Sequence, residues 1–172
     1  MVHAMRKALK NEKGLTLIEL LAVVVILGII AAIAIPAIAG IIDNSRKDAH
    51  AANAIQMINS TKLAVAGDDR ARPDVTDTIK YISLDWLEQN GYIDQVIDPD
   101  GDVTSYNRGT PVATAIPTGT TVPAGSHVRA TFDPTTNTIT YAVFLLNGTR
   151  GVQDTATGGY VAEVDVARAK VQ

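Results

Sequence analysis

Residues 13–42 read KGLTLIELLAVVVILGIIAAIAIPAIAGII. After Glu19 there is no charged residue until Asp43, so Leu20 to Ile42 forms one uninterrupted apolar run. Its roughly 23 residues would make a helix roughly 34 Å long, enough to cross a hydrocarbon layer of about 30 Å. Four cations, Arg6, Lys7, Lys10 and Lys13, precede the run. By the positive-inside rule this predicts a single-pass protein with its N-terminus cytoplasmic and the remainder exported. The run is longer than the apolar core of about 7–15 residues in an ordinary secretory signal. A cut at Ala37-Ile38-Ala39, releasing a secreted chain from Gly40, is therefore the weaker alternative, alongside a plain membrane anchor. Neither accounts for Glu19, because a carboxylate at the edge of a membrane helix needs a partner.

The ordered set Gly14-Leu15-Thr16-Leu17-Ile18-Glu19-Leu20-Leu21, behind a basic leader starting at Met1 or Met5, closely resembles the signal of type IV pilins and pseudopilins. The resemblance implies that a prepilin peptidase cuts between Gly14 and Leu15 and N-methylates Leu15. Leucine stands where that family usually has phenylalanine. It further implies filament-assembly roles for Thr16, for Glu19 (fifth residue of the mature chain), and for Gly28 and Pro36, where family members carry helix-weakening residues. Partners implied in the same way are other pilins, copies of this chain in a helical homopolymer, and an ATPase-driven assembly platform. The close similarity covers residues 5–42.

The physical sense of each position can be stated separately. Glycine lets a protease approach the backbone closely. Cutting after it creates an α-amino group with an ordinary pKa of about 7.7–8.0. Leu15 and Glu19 are four residues apart, so amine and carboxylate can meet within one helix or between neighbouring helices. A desolvated pair adds little net stability but penalises misregistered arrangements, which strand a charge. Pro36 lacks an N–H and clashes with the preceding turn, and Gly28 weakens the helix earlier. Both residues are also common in membrane helices generally.

Beyond the membrane run, Asp43-Asn44-Ser45-Arg46-Lys47-Asp48 marks entry into water. Ala51, Ile55, Ile58, Lys62 and Val65, with Ala54, follow an amphipathic period, and Gly67 is a stop signal. The organisation expected is a leader over 1–14, a membrane and assembly half-helix over 15–42, an amphipathic half-helix over 43–67 and a head over 68–172. Residues 68–78 read as a polar loop. Ser83 is placed to cap a short helix over 84–90 that stops at Gly91, with Leu84, Trp86, Leu87, Tyr92 and Ile93 in the core. Strands are expected over 127–132, 138–146 and 160–166, with turns at 133–137 and at Asn147-Gly148. Residues 103–126 read as a variable loop. The fold class is therefore α+β and pilin-like: a long N-terminal helix on a small antiparallel sheet of three to four strands.

The composition limits the chemistry. There is no cysteine, so disulfides and thiolate metal sites are excluded for this sequence. Losing residues 1–14 removes four of 15 basic and one of 18 acidic residues, leaving a net charge of −6. Such a chain suits nucleic acid poorly. The cations available for a DNA contact (His127, Arg129, Arg150, Arg168 and Lys170) are scattered. No catalytic motif occurs, so the chain reads as a non-enzyme. Asp98, Asp100 and Asp102 are candidate Ca²⁺ ligands, and some pseudopilins bind calcium. Their loop lacks the bidentate glutamate of a full calcium site, and Asp-Pro and Asp-Gly are also turn formers. Three functions follow: a subunit of a type IV pilus or related surface filament on the cell surface; a pseudopilin of a secretion or DNA-uptake system; or a membrane-anchored or secreted binding protein that does not polymerise.

Overall fold

A computed structural model describes residues 16–101, 106–109, 116, 121–148, 150–154 and 159–172. The expected cleavage pair Gly14–Leu15, Asp102 and most of the expected loop over 103–126 lie outside them. The described chain forms two units, which meet between Asp43 and Asn44.

Helix α1, Leu17–Gly67, contributes to both units. In the first, residues 17–43, every leucine, isoleucine and valine is exposed. The segment is apolar all round, the pattern of a helix whose cover is not its own chain. Helicity is continuous through Gly28 and Pro36.

The second unit is a helix on a sheet. From residue 44 onward α1 buries His50, Ala51, Ala54, Met57, Ile58, Thr61, Ala64 and Val65. This stripe is rotated from the expected one, leaving Ile55 in solvent and admitting His50, Met57 and Thr61. Thr61 Oγ1 satisfies itself by donating to the Met57 carbonyl at 2.9 Å. Lys62 lies at the margin, 5.5 Å from the centroid of the Tyr141 ring and ion-paired with Glu163. Its stem covers apolar surface while its ammonium finds a carboxylate.

The sheet is antiparallel. Strand β1 (Ile79–Ser83) runs directly into helix α2 (Leu84–Gln89), and β2 (His127–Asp133) and β3 (Thr138–Leu146) form a hairpin. The short strands β4 (Gly151–Val152) and β5 (Val161–Ala162) follow. The order is β1-β2-β3-β4, with β5 also on β3. The expected strand over 160–166 shrinks to β5 and gives way to a 3₁₀ turn at Glu163–Asp165. The free edge of β3 is shared: Ala142 and Val143 pair with β5, and Leu145 and Leu146 pair with β4. Little edge remains for a longer partner.

A row of β-branched side chains crosses four strands: Ile82 opposite Val128, Val128 opposite Val143, and Val143 opposite Val161. All four are buried with Met57, Ile58 and Leu145 in one core. Cross-strand packing of such residues is the unit of sheet stability. Helix α2 starts where the chain expects it to. The Ser83 hydroxyl accepts from the Trp86 N–H at 3.2 Å. Gly91 ends it at φ +72°, a conformation that favours glycine. Trp86 is core, stacked on Tyr92 with ring centroids 5.4 Å apart. Gly151 is needed for another reason: a Cβ there would sit 2.0 Å from the Leu145 carbonyl oxygen.

Candidate functional site

The site begins where α1 begins. Thr16 accepts at Oγ1 from the Glu19 N–H at 3.3 Å. Glu19 Oε2 in turn accepts from the Thr16 N–H and from the Thr16 hydroxyl, each at 2.8 Å. This reciprocal pattern is a capping box, which satisfies two helix N–H groups that otherwise lack partners. The spacing Thr16-x-x-Glu19 carries that signature in the sequence, so Glu19 brings a helix cap as well as a charge. Both Thr16 bonds fall on Oε2, and among the described residues no bond falls on Oε1. The carboxylate is thus pinned to the helix start with one oxygen available to a cation. The helix macrodipole also favours a negative charge at this end.

C-terminal to the cap, α1 is the one described helix long and apolar enough to cross a membrane. Its most apolar 18 residues have a mean hydropathy of 3.0, and none of them is buried. A Cβ added at Gly28 would meet nothing within 4 Å. Among the described residues no contact therefore asks for glycine there.

In the head, Asp98 and Asp100 converge with a residue the sequence reading did not connect to them, His50 of α1. Its Nε2 is 3.0 Å from Asp100 Oδ2 and 3.7 Å from Asp98 Oδ1. His50 and Asp98 are buried. Its Nδ1 lies 2.7 Å from the Tyr106 hydroxyl, which also accepts from Asn53 Nδ2 at 3.1 Å. No local spacing links residues fifty apart. The only hint was a polar residue one turn before Ala54, in line with the apolar stripe.

The scattered cations each have work within the second unit. Arg150 donates to Asp100 Oδ1 at 3.0 Å, Arg168 pairs with Asp48, and Lys170 pairs with Asp154. Arg129 stacks 4.2 Å from the Tyr160 centroid. His127 is buried on the sheet face that carries Tyr81, Ala142 and Tyr160, with Phe144 beside it. Its Nδ1 must donate to the Gly125 carbonyl at 2.7 Å, which leaves Nε2 to accept from the Tyr160 hydroxyl at 2.9 Å.

Burial above all, with the Arg129 cation adding to it, holds His127 below its ordinary value of 6.5, although the Gly125 bond opposes the shift. A lowered histidine contributes stability that is complete above the unfolded pKa and is lost as pH falls through the folded value. Melting temperatures measured between pH 8 and pH 5 should therefore fall more steeply for the wild type than for His127→Gln. Equal slopes would remove His127 as a source of acid sensitivity.

Residues 9–35 match the family model described as the prokaryotic N-terminal methylation motif, the signature of type IV pilin and pseudopilin precursors. The matched segment contains the expected cleavage pair Gly14–Leu15, the capping box and Gly28, and stops just short of Pro36. The motif implies processing by a prepilin peptidase and assembly with other pilins. With one apolar helix at the N-terminus, it fits membrane anchoring, and its family consists of structural subunits rather than enzymes. No curated protein matches the chain. No solved structure matches it.

Proposed function

We propose that this chain is a structural subunit of a type IV pilus or a related surface filament. The observation that carries this reading is the methylation motif at the start of a helix whose first, membrane-length stretch is apolar and uncovered. The precursor inserts with its N-terminus in the cytoplasm and its head outside. Prepilin peptidase removes residues 1–14 and methylates Leu15. An ATPase-driven platform then moves subunits from the membrane into a polymer on the cell surface, where helix–helix contacts replace lipid contacts. Lipid tails are as apolar as leucine, so this exchange gains little hydrophobic free energy and depends on packing and on polar pairs. The subunit interface is heterologous and propagates without closing.

Within that polymer Glu19 sets register. Its Oε2 is held by Thr16, and its Oε1 receives an α-amino group, either of its own chain or of a neighbour. Thr16 acts by orienting the carboxylate. Gly28 and Pro36 let the helix stretch or bend during assembly. Shearing cells that express the chain with an assembly platform should release fibres labelled by antibodies to the head. Processed protein that stays wholly in the membrane fraction of such cells would contradict the proposal.

A second reading is a pseudopilin of a secretion or DNA-uptake system: the sequence has no cysteine pair, a departure from many pilins of Gram-negative type that suits pseudopilins and Gram-positive pilins alike. Electron microscopy separates the two, since a pseudopilin gives short fibres confined to the envelope.

A further inference from the structure

We infer that His50, Asp98 and Asp100 form a binding site for a divalent transition-metal ion, of which zinc is the representative. One nitrogen and two carboxylate oxygens converge, all within 4.8 Å of one another. Zinc binds such donors at about 2.0–2.2 Å, which places tetrahedral ligand atoms roughly 3.3 Å apart. The distances from Nε2, 3.0 and 3.7 Å, bracket that edge. A fourth position is left for water or another oxygen.

The surroundings suit ligation. The imidazole presents Nε2 to the carboxylates while Nδ1 is engaged by Tyr106. A ligating histidine commonly has its other nitrogen held in this way, which fixes ring orientation. Asp100 is steered similarly: Arg150 at 3.0 Å and Arg46 at 3.5 Å both take Oδ1, leaving Oδ2 turned toward His50. Asp98 Oδ1 accepts from the Asp100 N–H at 2.8 Å, so the loop folds both carboxylates toward one point. The donor set also chooses the metal. Calcium takes six to eight oxygens at 2.3–2.6 Å, and magnesium prefers oxygen and retained water. An imidazole with two carboxylates suits zinc, nickel, cobalt or copper.

The competing state is metal-free. In it Nε2–H donates to Asp100 and Tyr106 donates to Nδ1. A bound ion instead places the ring proton on Nδ1 and clamps the loop at residues 98–100 to helix α1. The full-length chain in detergent micelles, stripped with a chelator and dialysed, distinguishes the two. Added Zn²⁺ should bind at one ion per chain and raise Tm by roughly 5 °C or more, with Ca²⁺ and Mg²⁺ producing no such rise. Zinc-edge X-ray absorption of the wild type should show a first shell of nitrogen and oxygen with a single imidazole. The isosteric Asp98→Asn and the substitution His50→Gln should each weaken zinc binding at least tenfold. A folded wild type whose Tm ignores zinc would overturn the site. So would a zinc spectrum without imidazole, a response to calcium alone, or undiminished zinc binding in both variants. If either variant fails to fold, the wild-type spectrum and stoichiometry decide.

Discussion

Replacing Glu19 by alanine should leave the protein inserted in the membrane and cut after Gly14, yet abolish filaments. The expectation has two physical sources, and a second substitution separates them. Glu19 closes the capping box with Thr16, accepting two bonds at Oε2. It also brings the one negative charge in the first turn of α1. Glutamine keeps the capping pattern, because its amide oxygen can accept the same bonds, but it has no charge. Loss of a cap costs about 0.5–2 kcal/mol, too little to prevent a long membrane helix from forming. An unpaired α-ammonium buried in an apolar bundle costs several kcal/mol at every added subunit. Glu19→Gln should therefore fail to assemble almost as completely as Glu19→Ala, while Thr16→Ala assembles at reduced yield. Sheared fractions and electron microscopy measure all three. Normal filaments from Glu19→Gln would reduce Glu19 to a helix cap and remove the registry role.

The second large effect lies in the head. Ile82→Ala should destabilise it by about 2–5 kcal/mol, the usual range for truncating a fully buried isoleucine. Ile82 is completely buried and begins the row that continues through Val128, Val143 and Val161. Removing it opens space between β1 and the core on which α1 packs. Against a domain stability of about 5–15 kcal/mol, that is a large fraction. Ile79→Ala is the matched control on the same strand. Ile79 is half-buried and belongs to the other face, with Tyr81 and Phe144, so it should cost clearly less. Denaturant midpoints of the full chain in detergent test the pair. Equal losses would mean that the two sheet faces contribute alike and that the core assignment is wrong.

Helix α1 is legible in the sequence because its apolar run, its amphipathic continuation and Gly67 all agree. The β2–β3 hairpin is equally legible. An alternating run before it and a β-rich run after it bracket Asp133-Pro134-Thr135-Thr136-Asn137, and Asn137 adopts φ +55°, which asparagine tolerates. Strand β1 is not legible. Its five residues pass straight into α2, and Ser83 serves as both strand end and helix cap, so no turn announces the strand. The alternation over 160–166 misleads for a different reason. It ignores that the edge of β3 is already divided between β4 and β5. In fact Val161 points into the core and Val164 is exposed.

The candidate site divides the same way. The proposed cleavage pair, Thr16 and Glu19 are local in sequence, so a stretch of eight residues suggests them. The capping box is equally local, since Thr16-x-x-Glu19 is itself the spacing of a reciprocal cap. The His50 cluster depends on tertiary contact. Asp98 and Asp100 are visible as an acidic loop, but the nitrogen that changes their chemistry arrives from α1 through the fold. Arg150 arrives from the approach to β4. Sequence spacing therefore suggested oxygen ligands and calcium, whereas the assembled geometry presents a mixed donor set.

The central claim is that this chain is a prepilin whose mature form begins at Leu15. Mass spectrometry of the N-terminal peptide, from protein isolated from cells that contain a prepilin peptidase, tests it most directly. The account predicts a peptide starting at Leu15 and carrying one methyl group on its α-amine. An intact N-terminus, or a start at Gly40 as in ordinary secretion, would contradict it.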